Sequence, residues 1–444
     1  MSSTVTGACG ILTALVKFLA QFFISNNRYL SRLNLRAMPT SDTSQDTLPT
    51  NPRIGHYVST VAFDETVNAY VPPALPPEPP LALSAQLLQR LSEADRAIGR
   101  LDGVAMLLPD KALFLYMYVR KEAVLSSQIE GTQSTLDDLL QFENAALAGK
   151  PLDDITEVSN YVDAMMYGLD VLRDPKGLPL CLRLLRDMHA RLLQKGRGQN
   201  KSPGEFRRSQ NWLGGTRPGN AHYVPPPVGE MEKCLGDLER FLHDDSAIIP
   251  PLIKAGMLHV QFESIHPFLD GNGRLGRLMI ALFLVEKKIL HEPLLYLSLY
   301  LKTHREQYYR LLQDVRLRGD WETWTEFFLT GVAETANNAY ESAMRIVALF
   351  QTDRERIATC GEQTNSMLRV HELLQTHPFL NAAQVQQKAG LSAPTVNKAF
   401  ETLEKLQIVG EITGKQRGRV YAYTEFLKIL ESGTEVQPPA QPVG

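Results

Sequence analysis

Apolar residues recur along most of this chain at the three- and four-residue spacing of helices that bury one face. The pattern predicts helices over residues 87–96, 111–125, 135–147, 155–172, 180–194 and 230–242. In Pro251–Ile265, Leu252, Ala255, Leu258, Phe262 and Ile265 fall at helical spacing, and after a short polar turn Leu278, Ala281, Leu282 and Val285 begin a second apolar face. Residues 294–301 and 304–315 continue the bundle, and 326–357 predicts a long connecting helix. Trp321, Trp324, Phe327 and Phe328 have helical spacing and are predicted as core. Two short extended pieces within 203–227, either side of a Gly/Pro/Asn turn at 217–220, predict a β-hairpin. The run 196–202 is rich in Gly, Asn and Lys and is predicted as loop.

The pattern changes near residue 366. A helix over 368–374 is followed by two more: Asn381 caps 382–389, which Gly390 closes, and Ser392 caps 394–406, with Pro394 early in the helix. Alternating segments at 408–413 and 419–423 flank Gly414-Lys415-Gln416-Arg417-Gly418, which completes a winged helix-turn-helix order. At the other end, residues 70–80 (YVPPALPPEPP) can be neither helix nor inner strand. The expected division is an extension, partly disordered, over 1–69; an N-terminal region with a proline strap over 70–150; a helical domain over 151–350; the winged helix over 366–430; and a disordered tail over 431–444.

Composition sharpens this only a little. The chain has 444 residues, 44% of them hydrophobic, enough for two or three domains. A net charge of −3 excludes a global basic field, so nucleic-acid binding would have to come from a local set such as Lys398, Lys405, Lys415, Arg417 and Arg419. Cys9, Cys181, Cys234 and Cys360 form no CxxC pair, which fits a reducing compartment and a cytoplasmic location. The apolar run at 10–25 is short, contains Lys17 and lacks a basic lead. It is expected to be an extension, with Met38 an alternative start, rather than a membrane span.

The chemistry is concentrated in His266-Pro267-Phe268-Leu269-Asp270-Gly271-Asn272-Gly273-Arg274-Leu275-Gly276-Arg277. Pro267 ends the preceding helix and leaves His266 at its terminus. Gly271, Asn272 and Gly273 then open the next helix, where free N–H groups and the helix dipole attract an anion. Arg274 and Arg277 are three apart in its first turn and share a face. Asp270 can hold Mg²⁺ beside a polyphosphate, and a histidine of ordinary pKa, ~6.5, can accept a proton at neutral pH. Within 126–132 (SSQIEGT), Ser126, Glu130 and Gly131 by themselves describe an ordinary helix end.

The HPFLDGNGRLGR run resembles the signature of the Fic family, most of whose members transfer AMP from ATP to a protein hydroxyl. The resemblance covers roughly 70–350 and implies a mainly α fold: a helical bundle with a small β-hairpin flap, here followed by the winged helix. It implies that His266 is the general base, Asp270 the Mg²⁺ ligand, Gly271, Asn272 and Gly273 the anion hole, and Arg274 and Arg277 the phosphate clamps. Ser126, Glu130 and Gly131 fit the family's inhibitory motif, in which the glutamate engages the second signature arginine, Arg277. His304, Tyr308 and Tyr309 fall where relatives place groups beside adenine. Gly214, Gly215, Tyr223 and Val224 lie in the expected flap, which docks a target protein by strand addition, with His222 a surface residue of it. Gly273 is similar to AMP-transferring members rather than to Doc-like kinases.

The implied function is a protein adenylyltransferase acting on Tyr, Thr or Ser, in another protein or in itself, held down by Glu130. A homo-oligomer and DNA contact through the winged helix are the accompanying expectations. The rival expectations are removal of AMP with Glu130 aligning a water, and a DNA-binding regulator that only senses nucleotide.

Overall fold

A computed structural model describes residues 51–107, 111–143, 153–246, 248–361 and 364–434. The expectations for residues 1–50, including the apolar run and Met38, and for 435–444 lie outside the described residues.

At the centre is a pair of buried helices, α7 (Pro251–Ile265) and α8 (Asn272–Glu286), joined by the signature loop. Every residue of α7 from Leu252 to Ile265 is buried, the polar Lys254, His259, Gln261, Glu263 and Ser264 included. Around them stand α1 (Ala85–Leu107), α2 (Lys111–Ile129), α3 (Leu136–Glu143), α4 (Asp153–Arg173), α5 (Leu182–Leu192) and α6 (Val228–His243). Beyond α8 follow α9 (Ser298–Thr303), α10 (Arg305–Arg318) and α11 (Trp321–Ala358). Asp320 caps α11 by accepting from the Thr323 N–H, so this helix begins five residues earlier than its periodicity predicts, with Trp321 and Trp324 in the core. Among the described residues, no helix is long and apolar enough to cross a membrane.

One part of the N-terminal third differs from expectation. Residues 56–71, expected to be extended or disordered, form an antiparallel hairpin of β1 (His56–Ala62) and β2 (Glu65–Val71), paired from His56↔Val71 to Ala62↔Glu65. Its two-residue turn places Phe63 and Asp64 at φ 49° and 63°, the left-handed geometry that usually calls for Asn-Gly. Nothing in the composition announced it. The proline strap behind it is packed, as expected: Gln261 donates to the Pro73 carbonyl at 2.7 Å, and Arg53 donates to the Pro79 and Pro80 carbonyls while pairing with Glu322.

The expected flap hairpin is much reduced. Residues 213 and 223 form a single isolated bridge, and Pro218–Asn220 make one 3-10 turn between them. The prolines at 218 and 225–227 remove the donors that a longer ladder needs. β2 supplies the missing neighbour, its Tyr70 N–H donating to the Val224 carbonyl at 2.9 Å.

In the C-terminal part the three expected helices and two expected extended segments occur in order, with an added short strand between the first two helices. α12 (Thr364–Thr376), β3 (Phe379–Asn381), α13 (Ala382–Ala389), α14 (Ala393–Lys405), β4 (Gly410–Glu411) and β5 (Val420–Ala422) carry a sheet ordered β3-β5-β4. Asn381 and Gln384 form a reciprocal capping box, and Ser392 caps α14. A last amphipathic helix, α15 (Thr424–Glu431), was not anticipated. The expected free tail begins too early, because Glu431 is helical and Thr434 is only 2% exposed.

Candidate active site

Pro267 does what its chemistry requires: α7 stops, and His266 sits at its C-cap in the left-handed region, φ 48° and ψ 60°. The loop then closes on itself. Asn272 accepts from the Phe268 N–H and donates to the Phe268 carbonyl, both at 2.9 Å, so its side chain is spent on loop shape. Asn272 thus offers the cleft its backbone N–H and not its side chain. Gly271 stands at φ 76°, and α8 begins without a side-chain cap. Its first N–H groups are left uncapped, and an anion there would satisfy them.

Four groups hold this loop that sequence reasoning did not single out. Burial pushes His189 down to about pKa 4, despite the Asp270 carbonyl beside it. It is neutral: its Nδ1 accepts from the Gly204 N–H at 2.8 Å and its Nε2 donates to the Asp270 carbonyl at 3.0 Å. Its ring stacks on Phe268 at 3.8 Å. Arg207, 1% exposed, donates to the His266 carbonyl at 3.1 Å, and Asn211 donates to the Phe268 carbonyl at 3.0 Å. Glu157, 1% exposed, receives Arg274 at 3.2 Å. These partners lie 57 to 117 positions away in sequence, and their residue types carry no local signature.

His266 is 15% exposed, and its pKa is pushed down to about 3, first by burial and then by the guanidiniums of Arg316 and Arg207. A neutral imidazole is the form able to accept a proton. Its Nδ1 stands 3.9 Å from Glu263, whose carboxyl burial pushes up to about 7.

Asp270 turns one carboxylate oxygen to the Gly271 N–H at 2.6 Å and to Arg274 at 3.4 Å, and keeps 35% exposure. Among the described residues no group of three or more His, Cys, Asp or Glu forms a metal cage. A single, part-exposed carboxylate fits Mg²⁺ that takes its other ligands from phosphate and water.

Ser126 and Glu130 both contact Arg277. Arg277, 2% exposed, donates from Nε to the Ser126 hydroxyl at 2.8 Å, and from its terminal nitrogen to the Ser126 carbonyl at 2.9 Å and Glu130 at 2.8 Å. Burial opposes the charge on Glu130, but Arg277 and Arg274 together hold its carboxyl below the usual value. Gly131, at φ 101°, turns the chain away after it. Glu130 also crowds the anion turn, since a Cβ on Gly273 would stand 2.2 Å from its Oε1.

Three expected nucleotide contacts are not assembled equally. Tyr308 is 1% exposed and hydrogen-bonded to His259 Nε2 at 2.8 Å, so it is core rather than cleft. Neighbouring helical positions point about 100° apart, and here Tyr309 is the one that is 40% exposed. His304 bonds the Tyr300 carbonyl at 3.0 Å and packs at a tilt against the Tyr300 ring; neither contact reaches the loop. In the flap, Tyr223 and Val224 are buried anchors, which corrects their expected place on a docking surface. The Tyr223 hydroxyl donates to the Ser264 carbonyl at 2.5 Å, and Val224 packs with Ala62, Val67 and Ala69. Gly214 and Gly215 stand at φ 68° and 71° at the bend.

Residues 88–170 match the Fic/DOC family N-terminal model and residues 179–284 the Fic/DOC family model. The chain is 32% identical over 183 residues to the protein adenylyltransferase Fic of Aedes aegypti, covering 41% of this chain and 33% of that protein. The protein of the same name from Drosophila yakuba is 27% identical over 277 residues, 61% and 51% of the two chains. The chain thus spans a third to a half of the length of these curated relatives. A crystal structure of a Fic family protein from Desulfovibrio desulfuricans G20 shares the fold, with a TM-score of 0.50 at 22% identity, covering 78% of this chain and 98% of that one. Residues 88–284, which contain both the Ser126–Glu130 turn and the signature loop, belong to the Fic/DOC family.

Proposed function

We propose that this chain is a protein adenylyltransferase that moves AMP from ATP to a Tyr, Thr or Ser hydroxyl, in another protein or in itself, and that Glu130 restrains it. The observation that carries the reading is a neutral, part-exposed His266 beside a helix N-terminus whose second arginine is already engaged by a carboxylate. The acceptor oxygen attacks the α-phosphorus as its proton passes to His266. The bond to the β-phosphate breaks, and pyrophosphate leaves. Mg²⁺ held by Asp270 would neutralise phosphate charge. The N–H groups opening α8, with Arg274 and Arg277, bind the phosphates, and the flap, anchored through Tyr223 at the end of α7, lines the hydroxyl up with the α-phosphorus. Glu130 competes with the nucleotide for Arg277 and repels its charge.

The test is incorporation of label from α-³²P-ATP with Mg²⁺, comparing the parent, Glu130→Gly, and Glu130→Gly combined with His266→Ala. Label that rises in the single variant and disappears in the double is expected. Absence of label in all three, with ATP still bound, would overturn the transferase reading and favour a nucleotide sensor.

A further inference from the structure

The helix that carries the brake is gripped on its far side by the C-terminal end of the described chain. Past α15, residues 432–434 run over α2. The Ser432 carbonyl accepts from Lys121 Nζ at 2.7 Å, and the Thr434 carbonyl accepts from Gln128 Nε2 at 2.9 Å. The same Gln128 nitrogen donates to the Ser134 carbonyl at 2.9 Å, in the strand of chain that leaves Gly131. One amide therefore ties together the last turn of α2, the segment after the brake and the C-terminal end. Gly433, at φ 88°, lets the backbone lie against α9: a Cβ there would stand 2.8 Å from Leu299 Cδ1, and its carbonyl faces Lys302 Nζ at 3.5 Å. Thr434 is 2% exposed, its hydroxyl donating to the Glu431 carbonyl at 2.8 Å.

Helical geometry gives this grip a direction. Residues 121 and 128 are seven apart and share one face of α2, whereas Ser126 lies on another, about 150° away around the axis. Arg277 holds the second face through Ser126, and it also holds Glu130. The final turn of α2 is thus clamped between the catalytic arginine and residues 432–434. On the Arg277 side, Glu130 keeps 35% exposure and lies past the last helical residue, so its position depends on how firmly that turn is fixed.

We infer that residues 432–434 brace the inhibitory turn, so that the C-terminal module formed by α12–α15 and its sheet sets how often Glu130 leaves Arg277. The inference rests on the reading of Glu130 as a brake and names its regulator within the same chain. Movement of α15 relative to α2 withdraws the Ser432 and Thr434 carbonyls, frees Gln128, and loosens the turn that presents Glu130. The module therefore acts on nucleotide transfer without touching the nucleotide.

Two variants test it, one ended after Glu431 and one carrying Gly433→Val, whose side chain meets Leu299. Each is made in the parent and in the Glu130→Gly background. Hydrogen exchange at residues 126–131 and the initial rate of AMP transfer are measured, with Tm to check the fold. Faster exchange at 126–131 is expected in both variants. Transfer should rise about fivefold or more, the lower end of ordinary coupling between sites. In the Glu130→Gly background neither change should raise transfer further, an outcome that general loosening of the fold would not produce. Unchanged exchange at 126–131 in both variants would overturn the brace, as would a gain in transfer that persists fully without Glu130. Absence of transfer in Glu130→Gly itself would sink the transferase reading, and exchange alone would then decide the brace.

Discussion

Replacing Glu130 by glutamine separates the charge of the brake from its shape. The amide oxygen of Gln can still accept from Arg277, now across a 2.8 Å ion pair, while the negative charge is lost. A hydrogen bond involving a charged group contributes about 1.5–3 kcal/mol, against about 1 kcal/mol for a neutral one. The difference is about 0.5–2 kcal/mol; Glu130 is 35% exposed, and with solvent screening we take about 1 kcal/mol, below the middle of that range. That corresponds to about a fivefold larger population with Arg277 free for phosphate. Initial rates of label transfer at subsaturating Mg-ATP should therefore rise about fivefold in Glu130→Gln and further in Glu130→Gly, which also removes the oxygen crowding Gly273. Arg277 and Arg274 hold the Glu130 carboxyl below its ordinary value, so acidifying the parent from pH 7.5 to about 5.5 should not mimic the substitution. A Glu130→Gln rate equal to the parent's, with Glu130→Gly fast, would refute the electrostatic basis of the brake.

Two further outcomes follow from other parts of the molecule. Gly215→Ala places a Cβ 2.4 Å from the Asn220 carbonyl oxygen at a position with φ 71°, so the flap bend must shift. Transfer to protein should fall by on the order of 100-fold, the scale of a misplacement near 1 Å, while the Kd for ATP measured by titration calorimetry stays unchanged. His371 is buried against Tyr423, and burial pushes it down to about pKa 4 although Asp353 pulls the other way. The unfolded chain takes up that proton near pH ~6.5 and the folded chain only near 4, so stability falls as pH drops through this window. In His371→Gln, urea denaturation should show a slope shallower by about 1.4 kcal/mol per pH unit between those values.

What could be read from the chain was what local stereochemistry decides. Pro267 and Gly271 bracket the signature loop, Asn381 and Ser392 cap their helices, and the α7 and α8 faces follow from apolar spacing. The Ser126, Glu130 and Arg277 contact was legible only through family resemblance, because 147 positions separate the pair in sequence. The hairpin at 56–71 escaped because Phe63 and Asp64 occupy a turn that usually advertises itself with Asn-Gly. Tyr308 was misplaced because adjacent aromatics on a helix cannot both face one cleft, and packing against His259 took the first of them. Residues 432–434 have the composition of a tail, and their order comes from the donors that α2 presents, which no local pattern records.

The absent side chain at Gly273 also limits how this chain can change. Glu130 Oε1 occupies the space that any Cβ at 273 would need, and Arg277 lies 3.1 Å from the same point. A side chain at 273 therefore displaces Glu130 and crowds the turn in a single step, which under the proposed function loses restraint and chemistry together. A mutation at 130 removes restraint and leaves the turn intact. If the proposed function holds, descendants of this sequence can escape their own control through position 130 and remain active, whereas a side chain at 273 costs both properties at once.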